Sequence, residues 1–229
     1  MSYMFYYASE SVTAFNLHLS GWDVSKVTDM SHMFQDAGSK ATTWSIGDLS
    51  KWNVSSVTDM SSMFSSVGQK ATAWTIGDLS NWNVSNVTDM SAMFSSTGVC
   101  STVWDIGNLS NWDTAKATRM YQMFYNAGQK ATTWTIGDFS KWNTSSVTNM
   151  SHMFQNAGSN TTTFELKGLK NWNMSSVTDM RSMFSSVGSN ATTFNLDLSG
   201  WDVLKVTNMS YMFSSTGINA TIFELKGLE

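Results

Sequence analysis

Three histidines, one cysteine and recurring Asp, Asn, Lys and Tyr side chains are the groups in this sequence with chemistry to offer. Catalysis needs a base, a nucleophile and an orienting group in one place. His32 and His152 share a column of a repeat but stand four units apart, roughly 19 Å along a stack with strand spacing. They are too distant to share a proton or a metal, and with His18 they read as solvated side chains. Cys100 takes the place held by Lys40, Lys70 and Lys130 in other units, an exposed substitution. A single cysteine excludes an internal disulfide and a cysteine-based zinc site. The glycines punctuate the repeat and build no phosphate loop. No catalytic residue, metal or cofactor is expected, and the chain does not read as an enzyme.

The polar columns carry more information. Asp23, Asn53, Asn83, Asp113, Asn143, Asn173 and Asp202 recur at one position, and no two neighbours are both Asp. This pattern suits a structural ladder of stacked side-chain hydrogen bonds. With Lys51, Lys141, Asn81, Asn111 and Asn171 it would instead form a binding strip on an extended face. A second column, Asp29, Asp59, Asp89, Arg119, Asn149, Asp179 and Asn208, places three carboxylates in succession. It would stabilise helix N-termini or bind a divalent cation weakly. The seven tryptophans from Trp22 to Trp201 alternate with outward Asn and read as core rather than as sugar-stacking platforms. A threonine column begins at Thr42 and Thr72, but its neighbours vary as Thr43, Ala73 and Val103, so no regular crystal-binding plane arises. If the chain binds a partner, Asn83, Asn111, Asp113 and Asn143 mark the surface. If function is local, Lys116, Arg119, Tyr121 and Tyr125 mark it, in the unit that departs most from the pattern.

What must position these groups is a repeat. Tryptophan falls at Trp22, Trp52, Trp82, Trp112, Trp142, Trp172 and Trp201, a spacing of 30 closing with 29. Fourteen of the 17 methionines sit in two columns that follow it, beginning at Met30 and Met33. A second aromatic column runs Phe15, Trp44, Trp74, Trp104, Trp134, Phe164, Phe194, Phe223. The spacing Leu49, Trp52, Val54, Val57 is that of a leucine-rich repeat with Trp in a leucine position. It predicts a short strand with Trp52 and Val54 inward and Lys51, Asn53 and Ser55 outward. Met60, Met63 and Phe64 lie at i, i+3 and i+4, which predicts a short helix from Thr58, with Gly68 as its stop. A second strand over Thr42–Ile46 closes the unit. No unit can bury these side chains alone, so stacked coils must share one core. The fold class expected is a leucine-rich-repeat-like solenoid of parallel strands with one short helix per unit of about 30 residues. Residues 1–229 form one array, about seven coils with partial coils at both ends. Leu228 fits the column of Leu169. The array starts and stops in mid-unit and reads as a fragment of a longer protein.

The phrase W-[DN]-V-S-x-V-T-[DN]-M-S-x-M-F, matched in seven copies across essentially the whole chain, resembles the repeats of BspA-like bacterial surface proteins and mycoplasma-type surface lipoproteins. That resemblance implies display at a cell surface or secretion, and a non-enzymatic role in adhesion, protein–protein interaction or spacing. It carries over no catalytic residues. The alternative reading is a solenoid that binds carbohydrate or a mineral surface. The partners implied are proteins or glycans at a cell surface. Repeat arrays normally end in polar caps, and the apolar starts and stops here predict fraying or end-to-end self-association.

Composition sets outer bounds. Charged residues make up only 13% of the chain, against roughly 25% in a typical globular domain. Lys plus Arg is 13 and Asp plus Glu is 17, a net charge of -4, which argues against a nucleic-acid partner. No apolar run approaches the roughly 18 residues of a membrane span.

Overall fold

The computed structural model describes residues 1–227, so the match of Leu228 to its column lies outside the described residues. One short strand recurs per unit: β1 Ala14–Asn16, β2 Thr43–Ser45, β3 Ala73–Thr75, β4 Val103–Asp105, β5 Thr133–Thr135, β6 Thr163–Glu165, β7 Thr193–Asp197 and β8 Ile222–Lys226. Equivalent residues pair in parallel, Trp44 opposite Trp74 and Phe194 opposite Phe223. The order is β1-β2-β3, β4-β5 and β6-β7-β8 in three sheets. The aromatic column runs on across both breaks, with Trp74 and Trp104 ring centroids 6.0 Å apart and Trp134 and Phe164 5.6 Å apart. A line of isolated parallel bridges through Asp29, Asp59, Asp89, Arg119, Asn149, Asp179 and Asn208 ties the coils together elsewhere. The chain is a parallel β-solenoid of about seven turns.

The segment expected to be helical is a ribbon of overlapping turns. Met33 N–H donates to Met30 O at 3.2 Å, Gln35 to His32 at 3.2 Å and Ala37 to Phe34 at 2.9 Å. Between them, His32, Phe34 and Asp36 donate to Ser61, Met63 and Ser65 of the next coil at 2.8, 2.9 and 2.9 Å. The cause is backbone hand. His32, Asp36 and Gly38 have φ of 56°, 58° and 56°, and these left-handed residues set among right-handed ones break the helical path, so that the N–H groups of His32, Phe34 and Asp36 point along the solenoid axis. Those donors cannot then close the i→i−4 rings of an α-helix. Chains of i→i−3 turns bring positions three and four apart to one side, as a helix does, so Met60, Met63 and Phe64 all face inward. Gly68 ends no helix; it takes φ of 56° inside the ribbon. Regular helix among the described residues amounts to two single 3-10 turns, Leu109–Asn111 and Leu169–Asn171.

The strand expected at Trp52–Val54 is also absent. Turns close on both sides of it, Trp52 N–H to Leu49 O at 3.0 Å and Val57 N–H to Val54 O at 2.9 Å. Its alternation survives: Trp52 and Val54 are buried, Lys51 and Asn53 exposed. The leucine-rich-repeat comparison thus holds for inward spacing and fails for the backbone that delivers it. The strand predicted over Thr42–Ile46 is present as β2.

The interior is built from columns, each coil packing on its like. Phe34, Phe64, Phe94 and Phe124 stack with centroids 5.7, 5.7 and 5.6 Å apart. Met60, Met63, Val57 and Ile46 are fully buried beside them. Unbranched methionine fits the irregular gaps between flat rings. Most Trp N–H groups find acceptors: Trp82 Nε1 donates to Leu49 O at 2.9 Å and Trp112 Nε1 to Leu79 O at 2.9 Å. Trp74 Nε1 is buried without one. A backbone that uses its amides both within and between coils leaves little place for proline, and the chain has none.

Candidate functional site

Asn83, Asn111, Asp113 and Asn143 are all exposed on one flank of the solenoid. The side-chain ladder expected there does not form. In the column of Asn83, Asp113 and Asn143 the oxygen instead turns back on its own chain: Asn83 Oδ1 accepts Ser85 N–H at 3.1 Å, Asp113 accepts Ala115 N–H at 3.0 Å, and Asn143 accepts Ser145 N–H at 3.1 Å. A short oxygen-bearing side chain reaches the amide two residues on more readily than it reaches its neighbour in the next coil. The cation column does the same work, with Asp29, Asp59 and Asp89 accepting from Ser31, Ser61 and Ser91 at 2.9, 2.8 and 2.9 Å. There is no helix end for these carboxylates to stabilise; they brace turns.

Amide ladders exist elsewhere. Asn219 donates to Asn190, and Asn190 to Asn160, each at 3.0 Å. Asn156 donates to Asn126 at 2.8 Å.

In the divergent coil, Lys116 Nζ reaches Asn86 Oδ1 at 2.6 Å and Arg119 reaches Asp89 Oδ2 at 3.3 Å. Lys141 Nζ likewise reaches Asn111 Oδ1 at 3.2 Å. These cations are laid back along the axis onto the preceding coil. Tyr121 is 39% exposed, an unusual value in an array that buries most aromatics. Tyr125 is half-buried further round the turn ribbon. Asp113, Lys116, Arg119 and Tyr121 are thus exposed residues of one coil, each in its own column, with Asn83 and Asn143 one coil to either side.

Histidine placement follows the column spacing. His32 stacks on Tyr3 with centroids 4.5 Å apart and bonds Gln35. His152 Nε2 meets the Arg181 guanidinium at 3.0 Å. Cys100 is half-buried rather than fully exposed. Among the described residues, no group of three His, Cys, Asp or Glu is placed to hold a metal ion.

A corner recess missed in the sequence follows β3 and, separately, β5. The one after β3, of about 230 Å³, is lined by Thr75, Gly77, Asp78, Asp105 and Gly107. The other, of about 350 Å³, is lined by residues that include Thr135, Asp138, Glu165 and Lys167. The corner glycines create them. Gly77 has φ of 87°, and a Cβ there would lie 2.1 Å from Asp48 Oδ1. The Gly-Asp pair that lengthens the strand connector was their signal.

Several carboxyls titrate away from their ordinary value of 3.8. Hydrogen bonds from the Ser50 backbone and then its side chain hold Asp48 low, and those from the Ser25 and Ser199 hydroxyls and amides do so for Asp23 and Asp197. Burial pushes Asp36 up against opposing hydrogen bonds from Gln35, Ser66 and Tyr7. The Asp36 charge in turn raises Tyr7.

Compared with known proteins, the chain matches the family described as "Mycoplasma protein of unknown function, DUF285" over residues 1–102, 39–130, 67–159 and 128–225. No curated protein and no solved structure matches it.

Proposed function

The chain belongs to this Mycoplasma repeat family, and from that premise we propose that it is a non-enzymatic domain displayed at the cell surface, binding a protein or glycan partner through its outer flank. The observation that carries this reading is the continuous polar strip of Asn83, Asn111, Asp113 and Asn143, exposed coil after coil while the apolar columns face inward. Extended repeated faces are what solenoids offer to partners. The exposed ring of Tyr121 beside Arg119 supplies the anchor types that dominate protein interfaces. The likeness of the repeat phrase to BspA-like surface proteins supports adhesion as the biological setting. An enzymatic role has little to build on, because the titratable groups are dispersed along the coils.

The test is a set of alanine changes at Lys116, Arg119, Tyr121 and Tyr125, and a second set at Asn83, Asp113 and Asn143. Binding to host cells, to a protein array and to a glycan array is measured, with melting followed separately by circular dichroism. We expect binding to fall at least tenfold in one set while the fold persists. Wild-type binding that neither set alters would leave the solenoid as a spacer and overturn the proposal.

A further inference from the structure

The sheet along the strand flank breaks twice, and both breaks lie between internal coils. Among the described residues β3 does not pair with β4, nor β5 with β6, while every other pair of successive strands does. One substitution marks both places. Ala41, Ala71, Ala131 and Ala191 form a buried column just ahead of the strands, and Ser101 and Thr161 replace alanine there before β4 and β6. A buried hydroxyl has to find an acceptor. Ser101 Oγ donates to Val103 O, a carbonyl of β4 itself, at 2.7 Å, and Thr161 Oγ1 donates to Gly158 O at 2.9 Å. Each side chain thus offers the local backbone an alternative to the ladder.

The break between β5 and β6 is the wider one. No Cα of β5 lies within 8 Å of a Cα of β6, whereas β3 and β4 do approach that closely. Paired strands stand about 4.8 Å apart. The coils are closed on either side of this break. Gly158 N–H donates to Ala127 O at 3.2 Å and Asn160 Nδ2 to Lys130 O at 3.3 Å ahead of the strands, and Phe139 N–H donates to Lys167 O at 3.0 Å beyond them. What remains is a window in the wall of the solenoid. The recess of about 350 Å³ lined in part by Thr135, Gly137 and Glu165 opens in it. Trp134 also lines that recess, half-buried where Trp104 and Phe164 on either side are buried. Thr133 N–H, which faces the preceding coil, donates to Thr102 O at 3.3 Å; the equivalent Thr163 N–H reaches no carbonyl of the preceding coil among the described residues. Strand residues alternate in direction, so Glu165 N–H faces the window as well.

We propose that this window binds an extended peptide, which enters as an extra strand between β5 and β6 and pairs with both. An added strand needs its neighbours roughly 9.6 Å apart, twice the strand spacing, and the two already stand more than 8 Å apart. Main-chain hydrogen bonds supply the affinity of such strand addition, and alternate side chains supply the selection. Inward residues of the peptide are Gly or Ala, because the Trp134 and Phe164 rings beneath have centroids 5.6 Å apart and leave no room for a third ring. Outward residues run beside the exposed Thr133, Thr135 and Thr163, where β-branched side chains pack best across strands. The window occupies columns separate from Asn83 and Asn143, so it stands or falls apart from the polar strip.

The probe is the N-acetylated, C-amidated peptide Thr-Gly-Thr-Gly-Thr-Gly-Thr, titrated into the full chain and followed by calorimetry and amide exchange. Saturable binding is expected, with exchange at Thr163 and Glu165 slowed at least tenfold. Replacing the glycines of the peptide by N-methylglycine removes every second N–H and should weaken binding at least tenfold. Thr161→Ala restores the residue of the other coils. It should close the ladder, slow exchange at Thr163 without peptide and abolish binding, while melting no lower than wild type by circular dichroism. Thr161→Ser keeps the hydroxyl and should bind as wild type does. Absence of saturable binding, equal binding of the N-methylated peptide, or wild-type binding by the Thr161→Ala chain would each overturn the proposal.

Discussion

At the scale of single residues, seven copies of the unit make orientation legible. Each column samples the same environment repeatedly, so Met123 belongs with six other buried methionines before any coordinate is seen, and it is fully buried. Placing a carboxylate there strands a charge among apolar side chains. Met123→Asp should cost about 3–5 kcal/mol and melt the array at least locally, whereas Met123→Leu should cost less than about 1.5 kcal/mol. An unchanged thermal midpoint for the Asp variant would remove the inward assignment. What residue types alone did not disclose is the direction of the Asx side chains. Asn53 can bond a neighbouring amide or its own turn with equal chemical right, and only the local backbone decides. Asp36 shows the cost of a less favourable setting. Burial raises its pKa above the ordinary 3.8, so folding disfavours its charged form relative to the unfolded chain. A raised carboxyl contributes its full stability below the unfolded pKa and loses it as pH rises through the folded one. Asp36→Asn, the residue found at the equivalent positions Asn126 and Asn156, should therefore melt higher than wild type at pH 7. The advantage should vanish as pH falls through the raised value of Asp36 toward 3.8 and below. A constant difference across that range would show that the charge is not responsible. Asp23, Asp48 and Asp197 act with the opposite sign, losing their contribution as acid protonates carboxylates whose pKa is held low.

At the scale of elements, the sequence was half transparent. Strand β2 was readable because Trp44 lies between outward polar residues, a period of two. The turn ribbon was not, because consecutive i→i−3 turns and a helix share the spacing Met60, Met63, Phe64. The deciding feature is a left-handed residue at His32, Ser62, Ala92, Gln122 and His152, with φ between 52° and 58°. No glycine marks that column, so nothing in composition distinguishes it. The corner column is different, since glycine is demanded there and the sequence supplies it. At Gly77 a methyl group would meet Asp48 Oδ1 at 2.1 Å, and that oxygen is held by Ser50 N–H at 2.9 Å. The carboxylate cannot retreat without giving up its turn. Gly77→Ala should cost roughly 1–3 kcal/mol from its positive φ and the displaced cap. Gly21, with nothing within 4 Å of a built Cβ, should accept alanine and gain up to about 1 kcal/mol through a stiffer unfolded chain. Equal melting of the two variants would refute the corner account.

At the scale of the whole molecule, the core is a set of parallel columns, so its integrity depends on phase more than on length. Trp44, Trp74, Trp104 and Trp134 stack because each lies one full coil beyond the last. The same translation aligns the bridges at Asp59, Asp89, Arg119 and Asn149. Removing one complete period should let the flanking coils close on each other. Deletion of residues 90–119 joins Asp89 to Met120 and restores the phase of the repeat, with a polar residue then Met as in the units at Asp29, Asp59 and Asp179. Trp134 then lies over Trp74, Phe124 over Phe64, and Lys141 over Asn81, replacing its bond to Asn111. Deletion of residues 90–104 removes half a coil and sets apolar columns against polar ones, which no small adjustment of loops can repair, since the mismatch runs to the end of the chain. In an array whose stability is roughly the sum of unit and nearest-neighbour terms, the full-period deletion should keep a cooperative transition at a modestly lower midpoint. The half-period deletion should expose apolar surface and lose that transition. Both are read from urea melts followed by tryptophan fluorescence and from dye binding. Equal tolerance of the two deletions would mean that the coils are independent folding units, and the shared-column account of the fold would fail.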